Sequence, residues 1–132
     1  MITRLQPKAV PASKAPFSQV VLDDHYAFLA GLVAADFPEG RAVLGDVGAE
    51  TRAVLEAIRH ILAEIHLGLE RIVRVDVHLA NLDDFDAMDA AYREFFDDGN
   101  EPARTTTEST RLFGNSRVEI TCQARLLAPD LN

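Results

Sequence analysis

The sequence has few of the residues that mark secreted, disulfide-rich or membrane-spanning chains. It contains one cysteine, no tryptophan, 6 prolines and 7 glycines in 132 residues. The single cysteine, Cys122, cannot form an internal disulfide. No apolar run approaches the roughly 20 residues that a membrane-spanning helix needs, and no leader-like segment stands at the N-terminus. We therefore expect a cytoplasmic protein without a membrane segment.

Basic residues are also scarce. The chain has 13 Lys and Arg against 21 Asp and Glu, which gives a formal net charge of −8 at pH 7. The arginines stand singly among acids, as in "ETRAVLEAIRHILAE" at residues 50–64. Because a polyphosphate backbone is repelled by such a charge and finds no basic patch, we expect no nucleic-acid partner.

Motifs for metals, nucleotides or nucleophilic serine are missing as well. The pair His60 and His66 is six residues apart on a predicted helix, so the two side chains lie on different faces. The acidic stretch "LDDFDAMD" lacks the glycine of a calcium-binding loop and has helical spacing. No glycine-rich phosphate loop or Gly-x-Ser-x-Gly element occurs. We expect no metal ion.

What is present is an ordinary globular composition, with 48% apolar and 26% charged residues. We expect a single domain over residues 1–132. A short strand near Ile2–Leu5 is followed by a proline-rich loop at 7–16, and a hairpin turns at Asp23-Asp24-His25. Pro38, Gly40 and Gly45 then predict a long loop.

The middle of the chain predicts a helix and then a strand. Apolar residues at intervals of three and four indicate an amphipathic helix from Val47 to about His66, with Asp46 as N-cap and Gly68 ending the last turn. The period then changes to two. Val73, Val75, Val77 and Leu79 would face the core, while Arg74, Asp76 and His78 face the other way.

The last third predicts a helix from about Asp84 to Phe96 and a hairpin whose strands flank the loop at residues 113–116. In the final strand Val118, Ile120, Cys122, Ala124 and Leu126 share one face. The element order β, β, β, α, β, α, β, β predicts an α+β domain, a mixed sheet with two helices on one face. The uncovered face, with Arg74, Asp76, His78 and Glu119, would suit burial between subunits.

One arginine lacks an evident partner. In "DDGNEPARTTTEST", residues 97–110, Arg104 stands at the start of a threonine-rich strand and faces Glu119 across the predicted hairpin. A guanidinium fork matches a carboxylate, so Arg104 holds either Glu119 in a structural ion pair or the carboxylate of a small ligand. The residues alone leave both alternatives open.

Several stretches resemble one protein family. The segments "APFSQVV", "GDVGAETRAVLEAIRHIL", "IVRVDVHLANLDDF", "PARTTTEST" and "VEITCQARL" have the order and spacing of the RidA family, also called YjgF or L-PSP proteins. The resemblance implies a chorismate-mutase-like fold, a homotrimer with ligand clefts between subunits, and hydrolysis of imines or enamines to 2-keto acids and ammonia without a cofactor. In it, Arg104 matches the arginine that holds the substrate carboxylate, and Glu119 matches the glutamate that positions water.

The resemblance also implies a substrate-binding set, in which this sequence departs from the usual residues. Phe17 replaces a tyrosine, and Ala30-Gly31-Leu32 replaces Ser-Gly-Gln. Asp89 replaces an asparagine, and Thr106 replaces a cysteine. Fewer hydroxyl donors and an added negative charge should alter the substrate range. The sequence therefore predicts a deaminase of 2-imino or enamine acids. The alternative is a carboxylate-binding or chaperone-like trimer without catalysis, and an endoribonuclease ranks last.

Overall fold

A computed structural model of the chain describes residues 1–128; the last four residues of the predicted domain, 129–132, lie outside this range. Six strands are described: β1 Thr3–Leu5, β2 Val20–Leu22, β3 Tyr26–Val33, β4 Ile72–Leu79, β5 Ala103–Glu108 and β6 Val118–Arg125. Three α-helices are described: α1 Pro38–Arg41, α2 Val47–Ala63 and α3 Phe85–Tyr92. Within residues 1–128, no helix is long and apolar enough to cross a membrane.

The six strands form one mixed sheet in the order β1-β2-β3-β6-β4-β5. Neighbours are antiparallel except β4 and β5, which are parallel and connected through α3. The predicted hairpin between the last two strands is wrong, because β4 lies between β5 and β6. The apolar face of β6 is buried along its length and requires a central position, whereas the threonines of β5 suit an edge.

Helix α2 follows its predicted stripe and differs from the prediction at its end. The Asp46 carboxylate accepts a hydrogen bond from the Ala49 amide at 3.1 Å, which confirms the N-cap. The α-helix ends at Ala63, and His66 takes the left-handed conformation with φ of 63°. The Leu67 amide then bonds the Leu62 carbonyl at 2.9 Å. Gly68, with a negative φ, does not end this helix as predicted.

Two further predictions need correction. The segment predicted as a long loop contains the short helix α1, which begins at Pro38 directly after the buried Phe37. In β4 the register shifts between Ile72 and Arg74, which leaves Val73 with 44% of its surface exposed and buries Ile72 instead. A bulge interrupts the strict alternation that the sequence predicted for this strand.

Helix α3 is shorter than predicted, because short 3₁₀ turns at Leu82–Asp84 and Arg93–Phe95 replace its first and last α-helical turns. Met88 and Tyr92 of α3 are buried, and so is Phe96 just after the helix. These residues join the same core as the apolar faces of α2, β4 and β6. The α+β fold with helices on one side of a mixed sheet is confirmed.

Candidate functional site

Arg104 lies on the helix-covered side of the sheet, at its β5 edge. Its backbone pairs with that of Val75, which is fully buried in the core. Partner residues in neighbouring strands point to the same side, so the Arg104 side chain is directed toward α3. There its guanidinium lies over the Tyr92 ring, 4.6 Å from the centroid, and 5.5 Å from that of Phe85. The aromatic faces are attractive positions for a cation.

The anion that Arg104 contacts is Asp89. Arg104 Nη1 lies 2.8 Å from Asp89 Oδ1, and both side chains are about four-fifths buried, with exposed fractions of 21% and 22%. The second oxygen of Asp89 accepts a hydrogen bond from Arg93 Nη2 at 2.9 Å. The alternative of a structural ion pair between Arg104 and Glu119 is therefore wrong. The carboxylate comes from the neighbouring helix.

The hydroxyl groups of Tyr92 and Thr106 lie on the same side of the sheet. We call these residues the Arg104 cluster: Asp89, Tyr92, Arg93, Arg104 and Thr106. Tyr92 is buried, and burial raises the pKa of Tyr92 to about 12 against the opposing charge of Arg104, so the phenol stays protonated at neutral pH. The Tyr92 hydroxyl and Thr106 Oγ1 are both buried without a hydrogen bond of ordinary geometry to another residue in 1–128. The cluster therefore contains two uncharged hydroxyl groups that are shielded from solvent.

A cavity of about 270 Å³ opens beside this cluster. Its walls include Asp89, Tyr92, Arg93, Phe96, Glu101 and Arg104. A larger groove of about 670 Å³ lies elsewhere, against the outer face of α2 near Phe37 and Ala57, and it contains neither Arg104 nor Glu119. The smaller cavity adjoins the Arg104 cluster, and its convergent polar groups are what a specific small-molecule site requires.

Glu119 lies on the open side of the sheet, in a group that we call the Glu119 face: Gly31, Glu119 and Thr121. Glu119 pairs with His78 in β4 and is half-buried. A Cβ atom added to Gly31 would lie 2.9 Å from Glu119 Oε2 and 3.1 Å from Thr121 Oγ1. The Glu119 carboxylate makes no hydrogen bond or ion pair with another residue of the described part of the chain. Gly31 therefore leaves the room that the carboxylate occupies.

The two catalytic candidates are not brought together within one subunit. Arg104 and Glu119 project from opposite sides of the sheet, and β4 separates their strands. Two strand spacings alone amount to about 10 Å. The structure thus places Asp89 and Thr106 with Arg104, and Gly31 with Glu119, in two separate groups, the Arg104 cluster and the Glu119 face.

Phe17 and Ala30 belong to the β2–β3 end of the sheet. Phe17 precedes β2 and has 53% of its surface exposed. Two residues later the Gln19 carbonyl accepts a hydrogen bond from the Ala30 amide at 2.9 Å. Because Ala30 adjoins Gly31 in β3, it lies beside the Glu119 face and far in the sheet from β5.

Sequence reasoning missed Glu50, Tyr92 and Arg93. Glu50 is fully buried in α2, and its carboxylate accepts hydrogen bonds from the Gly45 and Arg117 amides, each at 2.8 Å. A glutamate at a core position of the apolar stripe was the available signal for Glu50. The spacing of Asp89 and Arg93, four residues apart on a helix, was the signal for their ion pair. For Tyr92 the available signal was its helical spacing one turn after Met88.

The remaining candidates show no reactive chemistry. Cys122 is buried, as predicted, and burial raises the pKa of its thiol to about 12, so it is not a thiolate at neutral pH. Within residues 1–128, no group of three or more His, Cys, Asp or Glu side chains is placed to hold a metal ion. The chemistry available at the Arg104 cluster and the Glu119 face is that of carboxylates, arginines and hydroxyl groups.

Comparisons with a family model and with known proteins indicate the same family. The model of the Endoribonuclease L-PSP family matches residues 7–126. A RutC family protein from Synechocystis sp. is 34% identical over 124 residues, which cover 92% of this chain and 95% of that protein. The human 2-iminobutanoate/2-iminopropanoate deaminase is 31% identical over 110 residues, covering 83% of this chain and 80% of the human protein.

Solved structures agree with this result. The crystal structure of the YjgF gene product from E. coli matches with a TM-score of 0.83 and 26% identity, covering 95% of this chain and 99% of that one. A Thermotoga maritima protein described as an endoribonuclease matches with a TM-score of 0.85 and 27% identity, covering 96% and 98%. The resemblance inferred from the sequence motifs is confirmed.

Proposed function

Because this chain belongs to the Endoribonuclease L-PSP family, also called RidA or YjgF, we propose that it hydrolyses reactive imines or enamines to a carbonyl compound and ammonia. Support comes from the deaminase relatives, about 31–33% identical to this chain, whose names specify imine substrates. Further support comes from Arg104 and Glu119, which occupy the family positions that the sequence motifs indicated. The reaction needs no nucleophilic side chain, since water is the nucleophile.

The chemistry follows from one carboxylate and one placed water. Glu119 accepts a proton from water while the water oxygen bonds to the imine carbon. The nitrogen takes up protons, and the carbon–nitrogen bond then breaks to release ammonia and leave a carbonyl oxygen. Proton transfer by a positioned carboxylate contributes typically 10²–10⁴-fold. Holding the imine and the water in contact supplies the remainder.

A site between subunits is supported by one observation: the Arg104 cluster and the Glu119 face are separate within one chain. Arg104 and Glu119 lie on opposite sides of one sheet, so a site that uses both must combine the Glu119 face of one subunit with the Arg104 cluster of another. The open side of the sheet also carries polar groups that suit burial in an interface, including Arg74, Asp76 and His78. We propose a homotrimer with one site at each subunit boundary.

Mixed trimers provide the sharpest test. Arg104→Ala and Glu119→Gln trimers should each be inactive, because every site lacks one half. When the two variants are mixed and allowed to exchange subunits, each mixed trimer regains one intact site, and about a quarter of the wild-type rate should return. Ammonia release from imines generated in situ, by an amine oxidase and by an amino-acid oxidase in parallel, is the readout.

The outcomes of this test separate the alternatives. If mixing restores nothing although mass spectrometry shows mixed trimers, the shared site is wrong. Glu119→Gln alone should lower the rate at least about 100-fold, since an amide cannot accept the proton. Glu39→Gln, at an exposed glutamate of α1, is the matched control and should keep the wild-type rate. A wild type that binds 2-keto acids but accelerates no imine would be a binding module instead.

A further inference from the structure

Asp89 is the carboxylate that Arg104 contacts, so a substrate carboxylate would compete with it for the guanidinium. The Asp89 carboxylate lies 2.8 Å from Arg104 Nη1 and is held on its other oxygen by Arg93 at 2.9 Å. A ligand carboxylate that approached Arg104 would have to displace Asp89 or lie beside it. Either change brings two carboxylates together in a site that is about four-fifths buried, where their repulsion is weakly screened.

The cavity beside Arg104 has no surplus positive charge. Among the residues that line it, Arg93 and Arg104 are balanced by Asp89 and Glu101. The whole chain carries a formal charge of −8, which adds long-range repulsion of anions. An additional carboxylate would therefore leave this site with an unbalanced negative charge.

The hydroxyl groups of this cluster are uncharged. Tyr92 lines the cavity, but its hydroxyl and Thr106 Oγ1 are both buried and do not open to solvent. The raised pKa of Tyr92 keeps its phenol protonated and able to donate. Neither hydroxyl adds a positive charge that would offset a second carboxylate.

From these contacts we propose that Asp89 determines the substrate class, and that the site takes imines without a carboxylate on the imine carbon. This inference rests on the proposed imine hydrolysis. The reaction is then a simple aldimine or ketimine plus water giving an aldehyde or ketone plus ammonia. Arg104, with its charge balanced by Asp89, orients the substrate through a neutral group.

Binding of two matched ligands tests this class without requiring turnover. Pyruvate and pyruvamide have nearly the same size and shape and differ by one negative charge. The wild type should bind pyruvamide at least about tenfold more tightly than pyruvate in calorimetry. Equal or tighter binding of pyruvate overturns the inference, and so does failure to bind either compound.

Asp89→Asn tests the residue. Removing the charge frees the Arg104 fork for a ligand carboxylate, so pyruvate should bind at least about tenfold more tightly than it does to the wild type. Asp86→Asn is the matched control, because Asp86 lies one turn earlier on α3, is exposed and lies outside the cluster. It should leave both affinities unchanged. Unchanged pyruvate binding in a folded Asp89→Asn protein overturns the role of Asp89.

Catalysis separates this inference from the proposed function. The imine that an amine oxidase generates in situ from propylamine should be hydrolysed faster than the imine that an amino-acid oxidase generates from alanine. Asp89→Asn should reverse the order of these two rates. A protein that hydrolyses the alanine-derived imine faster keeps the proposed function and loses this inference. A protein that accelerates neither imine but prefers pyruvamide loses the proposed function and keeps the binding preference.

Discussion

Two glutamates near the start of β6 show how differently one type of side chain is used. Glu50 is fully buried on the helix side, and both of its carboxylate oxygens accept backbone hydrogen bonds, one from the residue just before β6. Glu119, the second residue of β6, lies half-buried on the open side and has no partner within residues 1–128.

This difference in burial and hydrogen bonding distinguishes a glutamate that stabilises the fold from one that is available for function. A buried carboxylate with both oxygens satisfied holds two loops in place, and its loss would leave two amides without acceptors. A half-buried carboxylate without a partner is free to hold water or a ligand, so its loss should leave the fold intact. Burial and hydrogen bonding distinguish the two roles, whereas residue type does not.

The largest effect is expected at Glu50. Glu50→Ala removes both acceptors and should lower the free energy of unfolding by about 2–5 kcal/mol. Chemical denaturation measures this change. Glu56→Ala, at a surface position of the same helix where the side chain pairs with Arg59, should change it by less than about 1 kcal/mol. A stable Glu50→Ala protein would remove the contrast between the two glutamates.

A smaller effect, on activity alone, is expected at Gly31. The Cβ of Gly31→Ala would meet Glu119 Oε2 at 2.9 Å, so the carboxylate must move. We expect a rate of imine hydrolysis about tenfold lower, since small misplacements of a catalytic group are costly. The thermal midpoint should be nearly unchanged.

Gly48→Ala is the matched control for Gly31, because its added Cβ would make only ordinary contacts, at 3.6 Å or more. It should keep the wild-type rate. Full activity in Gly31→Ala would mean that the position of Glu119 beside Gly31 does not matter for the reaction.

The smallest effect is expected at Asp36, a partly buried carboxylate that accepts one backbone hydrogen bond. Burial raises the pKa of Asp36 above its ordinary value of 3.8, against the opposing hydrogen bond from the Val33 amide at 3.2 Å. For an acid with a raised pKa, the stabilising contribution is present below pH 3.8 and is lost as pH rises through the folded-state pKa. At neutral pH the charged form is therefore a small cost.

Asp36→Asn keeps the acceptor and removes this cost. Its thermal midpoint should exceed that of the wild type by about 1–3 °C at pH 7, and the gap should close toward pH 4. Thermal denaturation followed across this pH range measures the gap. A lower midpoint at pH 7 would show that the charge of Asp36 stabilises the fold.

Much of the fold was predictable because its signals are local. The stripe of α2, its Asp46 cap and the turn at Asp23-Asp24-His25 depend on residues within a few positions of one another. The family motifs also made Arg104 and Glu119 the site candidates. Local signals were weakest where tertiary packing decides, as at Val73, where a bulge shifts the alternation, and at Gly68, which His66 replaces as the left-handed residue.

By itself, the sequence determined the six strands, the two longer helices and most of their apolar positions, because periodicity and capping act over a few residues. Only the tertiary structure decided that β4 separates β5 from β6 and that Arg104 meets Asp89 and not Glu119. Strand order and contacts between elements depend on how the whole chain buries its apolar faces. A short loop between two strands therefore does not determine whether they pair.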